Sequence, residues 1–131
     1  MLGQLARPDR VVVADFEAGI GTVLRLEGNP VDVVVVVVEP TAKSLEVGRR
    51  AAETVRENKL GHIVVAANRV RDDADEQRIR ETFPDVEVVL VPDDPAIVAA
   101  ERSGVSPLDA SPDAPAVRVL VDLANRLLTT G

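Results

Sequence analysis

A chain of 131 residues with 46% apolar side chains has enough core for one domain, and with no cysteine it has neither disulfides nor thiolate chemistry. Aromatics are only 2% of the residues, so valine, leucine, isoleucine and alanine must fill that core. A net charge of −7 leaves no basic face to neutralise phosphates, which excludes a generic nucleic-acid binder, and the same acidity argues against an anionic membrane surface.

Residues 1–9 hold no apolar run of signal-peptide length and read as a helix end or loose tail, so a cytoplasmic protein is expected. Residues 11–15 read as a first strand, three valines ending on Asp15. A loop with two glycines follows over 16–21, then a short helical turn over 22–27 that Gly28-Asn29-Pro30 ends. Residues 31–39 form the second strand. Its centre is six uninterrupted valines, far too few to cross a bilayer, and it has the pattern of a parallel strand buried on both faces. Thr41 caps a helix that runs to about Asn58, with Leu45, Gly48, Ala52 and Val55 on its inner stripe. Gly48 there allows close helix–sheet approach.

Residues 62–67 form the third strand, followed by Asn68-Arg69-Val70-Arg71. Asp73 and Glu76 have capping-box spacing and open a helix that turns Ile79 and Phe83 inward. Residues 86–91 form the fourth strand, ending in Pro92-Asp93-Asp94-Pro95. Asp94 caps the next helix and Pro95 takes its first position; Ile97 and Ala100 face in, and Gly104 stops it. Residues 106–115 are a loop rich in proline and aspartate. A last helix over 116–128 presents Val117, Leu120, Val121, Ala124, Leu127 and Leu128 to the sheet. The expectation is one α/β domain over 1–131, with a three-layer, four-stranded, mainly parallel sheet flanked by helices.

In such a sheet the strand ends share one edge, where open α/β folds place their ligand chemistry. Asp15-Phe-Glu17-Ala-Gly19, Glu39-Pro40-Thr41, Asn68-Arg69 and Pro92-Asp93-Asp94 all fall there. Asp15 can hold Mg²⁺ through water, glycine lets backbone amides approach a phosphate, and an Asn amide matches the edge of a purine. Each residue also has a plainer use. Asp15 can cap a loop, Asn68 can serve a turn, Asp93 and Asp94 can be turn and cap, and His62 stands alone without a metal-ligand partner.

Taken together, Asp15-Phe-Glu-Ala-Gly-Ile, the valine strand with Glu39-Pro-Thr-x-x-Ser44, Val-Ala-Ala-Asn68-Arg and Val-Pro92-Asp-Asp94 resemble the MinD/ParA-type (SIMIBI) P-loop ATPases. The Glu17-Ala-Gly19 version is most like the CooC-type maturation ATPases, which assist nickel insertion into carbon monoxide dehydrogenase. The resemblance runs over nearly the whole chain from Val11, but covers only the C-terminal half of that family's domain. It implies ATP and Mg²⁺ as ligands. By the resemblance, Asp15 contacts Mg²⁺ through water, Gly19 with Glu17 lies in the switch loop near the γ-phosphate, Asn68 with Arg69 meets the adenine, and Pro92, Asp93 and Asp94 border the base.

The departures from the family are as informative. Only two lysines occur, Lys43 after Ala42 and Lys59 after Asn58, so neither stands in a Gly-Lys-Ser/Thr motif. No residue here supplies the phosphate cradle that phosphoryl transfer needs. The metal-binding cysteine pair of CooC dimers is absent. In the family resembled, the P-loop strand lies between the strands that match 11–15 and 31–38, so these two either close up or leave a slot for another chain. The resulting expectation is a truncated or split segment of a CooC/MinD-like ATP-binding protein, inactive alone and an ATPase only with a P-loop from a partner half or a longer parent. A homodimer is a further partner expectation; nucleic acid and membrane are not expected. The alternative is a non-catalytic interaction or regulatory domain that has lost the nucleotide. A third reading, a dinucleotide-binding Rossmann-like domain, draws on Gly19-Ile-Gly21 with Glu39 after the next strand, but the third glycine is missing.

Overall fold

Valine is stiff at χ1 and packs well on a pleated surface, so runs of it favour strands. The structure, a computed structural model, describes residues 11–15 and 31–130. In chain order it contains β1 (Val33–Val38), α1 (Ala42–Glu57), β2 (His62–Val70), α2 (Asp73–Thr82), β3 (Glu87–Pro92), α3 (Pro95–Ser103), α4 (Pro107–Ala110) and α5 (Pro115–Thr130). The strands are parallel and lie in the order β1-β2-β3. Parallel neighbours need crossovers, and α1 and α2 supply them.

The core sits between one sheet face and these two helices. Val36 and Val38 of β1 and Val65 and Ala67 of β2 pack with Leu45 and Ala52 of α1, with Ile79 of α2 and with Phe83 just beyond it. The close approach of α1 depends on Gly48: a Cβ there would collide with Val38 Cγ1 and stand 3.3 Å from Phe83 Cζ. On the opposite face Val64, Ala66 and Val91 are buried, and α5, which packs on β3, buries Ala116, Val117 and Leu123.

Several expectations change. Among the described residues the sheet has three strands, not four. Residues 11–15 have no regular secondary structure and every one is exposed. Their β-propensity is not expressed in a strand there. The valine run of β1 is buried on one face only. Val36 and Val38 are covered, whereas Val35 is 38% exposed and Val37 67% exposed, because α5 lies over β3 and not over β1. For the same reason the inner face foreseen for the last helix is only partly used: Val117 is buried, Leu127 is half-buried, and Leu120, Val121, Ala124 and Leu128 are exposed.

Smaller shifts have local causes. The cap of α2 is Asp72, whose side chain accepts from the Asp75 N–H, and Asp75 in turn accepts from the Arg71 N–H at 3.0 Å. The expected loop at 106–115 contains the short helix α4. β2 continues to Val70, so Asn68 and Arg69 stand inside the strand and not in a loop after it. The expected loop over 16–21, the helical turn over 22–27 and the tail over 1–9 lie outside the described residues, and with them Glu17, Gly19 and Gly21. No helix among the described residues is long and apolar enough to cross a membrane.

Candidate functional site at the strand ends

The carboxyl ends of three parallel strands bring Glu39, Asn68-Arg69 and Pro92-Asp93-Asp94 to one edge. The order of β1, β2 and β3 makes Arg69 central. β2 and β3 change register between Ala67 and Val70, and Arg69 there has a left-handed backbone, φ 60°. A side chain at positive φ is strained, and such residues gather where a particular side-chain direction is needed. Here the Arg69 guanidinium spans both neighbouring strand ends. Its Nη1 lies 3.4 Å from Glu39 Oε1 and its Nε 3.5 Å from Asp93 Oδ1. All three side chains remain substantially exposed, so the cluster is a polar surface and not a buried network.

The neighbouring backbone is held firmly. The Glu39 N–H donates to Ser44 Oγ at 2.8 Å, and the Asp93 N–H donates to the Val70 carbonyl at 2.9 Å. Arg78 Nη1 reaches the Pro40 carbonyl at 3.4 Å, tying α2 to the loop after β1. Asn68 is exposed beside this frame. Pro92 ends β3 opposite Val70.

Asp94 differs from its neighbours. One carboxylate oxygen accepts from the Ala96 N–H at 3.0 Å and caps α3; the other accepts from the Ala116 N–H at 3.1 Å, in the first turn of α5. Both oxygens are engaged in holding helix starts, so Asp94 has the structural role that its spacing before Pro95 suggested. Asp15 is exposed and lies in no strand or helix. Glu17 and Gly19 lie outside the described residues.

The sequence reading placed Glu39 on the edge without giving it a partner. Its link to Arg69 joins positions 30 residues apart, and only the strand order brings them together. Among the described residues no group of three or more His, Cys, Asp or Glu is arranged to hold a metal ion. At the opposite edge a cleft of about 470 Å³ is lined by Arg56, Lys59, His62, Asp85 and Glu87, well away from the strand ends. Lys43 lies in the first turn of α1 and Lys59 just after its end.

No protein-family profile matches the chain. Sequence relatives are nevertheless evident. An uncharacterized ATP-binding protein of Methanocaldococcus jannaschii is 30% identical over 76% of this chain and 40% of its own length. A second from the same organism is 28% identical over 90% of this chain and 46% of its own length. The carbon monoxide dehydrogenase accessory protein CooC of Rhodospirillum rubrum is 30% identical over 82% of this chain and 41% of its own length. Among solved structures, the MinD cell division protein of Aquifex aeolicus superposes with a TM-score of 0.62 at 21% identity, over 75% of this chain and 44% of that one. The chain spans less than half the length of each relative it matches.

Proposed function

Starting from this relationship to the MinD/ParA-like, CooC-type P-loop ATPases, we propose that the chain is the adenine- and metal-side portion of an ATP-binding protein. It would act on ATP only together with a phosphate loop from a partner or a longer parent. The observation that carries this reading is the convergence of Glu39, Asn68, Arg69 and Asp93 at the ends of three parallel strands, in a chain whose relatives include ATP-binding proteins.

The residues present fit one side of a nucleotide. Asn68 offers an exposed donor and acceptor for the base. Pro92 and Asp93 border the same surface, and Arg69 sets the direction of the Asp93 carboxylate. Mg²⁺ is commonly held by one or two carboxylates together with the ligand's phosphates, and the family resemblance gives that place to Asp15, which lies in no strand here. When bound, the ion neutralises phosphate charge; this chain's part is to supply the carboxylate. The phosphates themselves lack a cradle here, because neither lysine stands in a Gly-Lys-Ser/Thr motif.

The test uses a fluorescent ATP analogue with Mg²⁺, titrated against the chain alone and against the chain mixed with the P-loop-bearing N-terminal segment of a CooC-type relative. Saturable binding is expected only in the mixture, and Asn68→Ala should weaken it by about tenfold, the loss of one good base hydrogen bond. A folded chain that binds no nucleotide in either setting would instead support a non-catalytic interaction domain. The placement of both lysines favours that second reading.

A further inference from the structure

The cleft at the amino-terminal ends of the strands, opposite the candidate nucleotide edge, measures about 470 Å³, the size of a small-molecule site. We propose that it binds a small zwitterion, whose anionic group is held by Arg56 and Lys59 and whose ammonium is held by Asp85.

The two sides of the cleft carry opposite charge. Arg56 in the last turn of α1, Lys59 just beyond that helix and His62 at the start of β2 form one side. Asp85, shortly before β3, and Glu87, its first residue, form the other. Glu87 is already engaged in an ion pair with Arg126 of α5. The side chains of Arg56, Lys59, His62 and Asp85 make no hydrogen bond or ion pair among the described residues. By contrast Arg49, Arg50, Arg69, Arg71 and Arg80 each reach a carboxylate. Cations and a carboxylate thus line one cleft without closing on each other.

The backbone at Lys59 is a second, independent observation. Its φ is 52°, and among the described residues the other non-glycine with positive φ is Arg69, at the candidate nucleotide edge. The left-handed position after a helix ordinarily belongs to glycine. The helix dipole does not account for a lysine there, because Arg56 already places a cation in the last turn. The wall that carries Lys59 is also firmly set. The Leu60 N–H donates to the Val55 carbonyl at 3.0 Å, and the Val31 N–H to the Leu60 carbonyl at 2.9 Å. Gly61 packs so tightly on this frame that a Cβ would stand 2.7 Å from the Val31 carbonyl oxygen. A site held in this way needs little rearrangement to receive a ligand.

The charge pattern selects the ligand class. A dianion would meet the carboxylates of Asp85 and Glu87, and a dication would meet Arg56 and Lys59. A zwitterion satisfies both sides, and the half-buried Ile63 and Val86 in the lining offer apolar contact to a short carbon chain between its ends. The cleft lies at the other end of the strands from Asn68 and Arg69, so this binding is independent of the ATP reading.

Three probes of equal chain length test the proposal on the full chain: 5-aminopentanoate, glutarate and 1,5-diaminopentane, each titrated while the Lys59, Gly61 and Glu87 amides are followed by NMR. Saturable shifts are expected with 5-aminopentanoate, with a Kd on the order of millimolar because the contacts are exposed. Both other probes should bind at least about fivefold more weakly. Lys59→Gly removes the ammonium from a position that suits glycine, so it should weaken 5-aminopentanoate about fivefold, the scale of one exposed ion pair, without lowering the melting temperature. Asp85→Asn should erase the preference for 5-aminopentanoate over glutarate. No saturable shift with 5-aminopentanoate would overturn the proposal, as would equal or tighter binding of glutarate or of the diamine. Binding that survives both substitutions unchanged would overturn it too.

Discussion

Arg69 combines a strained backbone with a useful side chain. Its φ of 60° belongs to glycine more than to arginine, while its guanidinium joins Glu39 to Asp93 across three strand ends. The two ion pairs are exposed, so each is worth at most about 1 kcal/mol, whereas the left-handed conformation costs roughly 1–2 kcal/mol. Arg69→Ala loses the pairs and keeps the strain; Arg69→Gly loses the pairs and sheds it. Thermal melts should therefore place the glycine variant above the alanine variant by about 1 kcal/mol, even though both lack the bridge. Equal stabilities would mean that the backbone at 69 is unstrained. The sequence put Asp93 just past a strand, as it is, and put Asn68 just past one too, although β2 runs on to Val70. The left-handed turn at Arg69 was not legible, because a register change between β2 and β3 leaves no mark in either strand alone.

At the scale of elements, α1 is where sequence and structure agree best, because its signals are local. Thr41 accepts from the Ser44 N–H at 3.2 Å, and Leu45, Gly48, Ala52 and Val55 are the buried residues. Gly48→Ala should destabilise the fold by about 1–3 kcal/mol in denaturant titration, since the added methyl meets Val38 in a packed core. The outer face of α1 carries Glu46 between Arg49 and Arg50. Their hydrogen bonds, that from Arg49 foremost, lower the Glu46 pKa from 4.5 to about 2. A carboxylate whose folded pKa is depressed stabilises the fold above its unfolded value and loses that contribution as pH falls toward the folded one. The gap in melting temperature between wild type and Glu46→Gln should thus be full near neutrality and close between 4.5 and about 2. By contrast the buried face of α5 was misread. Apolar spacing identified a helix, but which flank is covered depends on α5 lying over β3, which no local pattern encodes.

At the scale of the molecule, the parallel α/β order was readable from strands alternating with helices, and the strand order β1-β2-β3 follows from short crossovers. The coverage of β1 was not readable. Six valines predict a strand buried on both sides, yet burial belongs to the elements laid over a strand and not to the strand, and Val37 remains 67% exposed. The dual cap at Asp94 has a mechanical consequence. One carboxylate pins the starts of α3 and α5, reaching Ala116 across 22 positions, and it belongs to the residue next to Asp93, which the Arg69 bridge holds. Strand end and terminal helix are therefore geared together. Asp94→Ala should release both helix starts, costing about 1–2 kcal/mol for each cap lost, and should raise amide exchange at Ala116 as well as at Ala96. A ligand that draws Arg69 away from Asp93 would pull on the same gear, which makes the Ala116 amide a remote gauge of events at the strand ends.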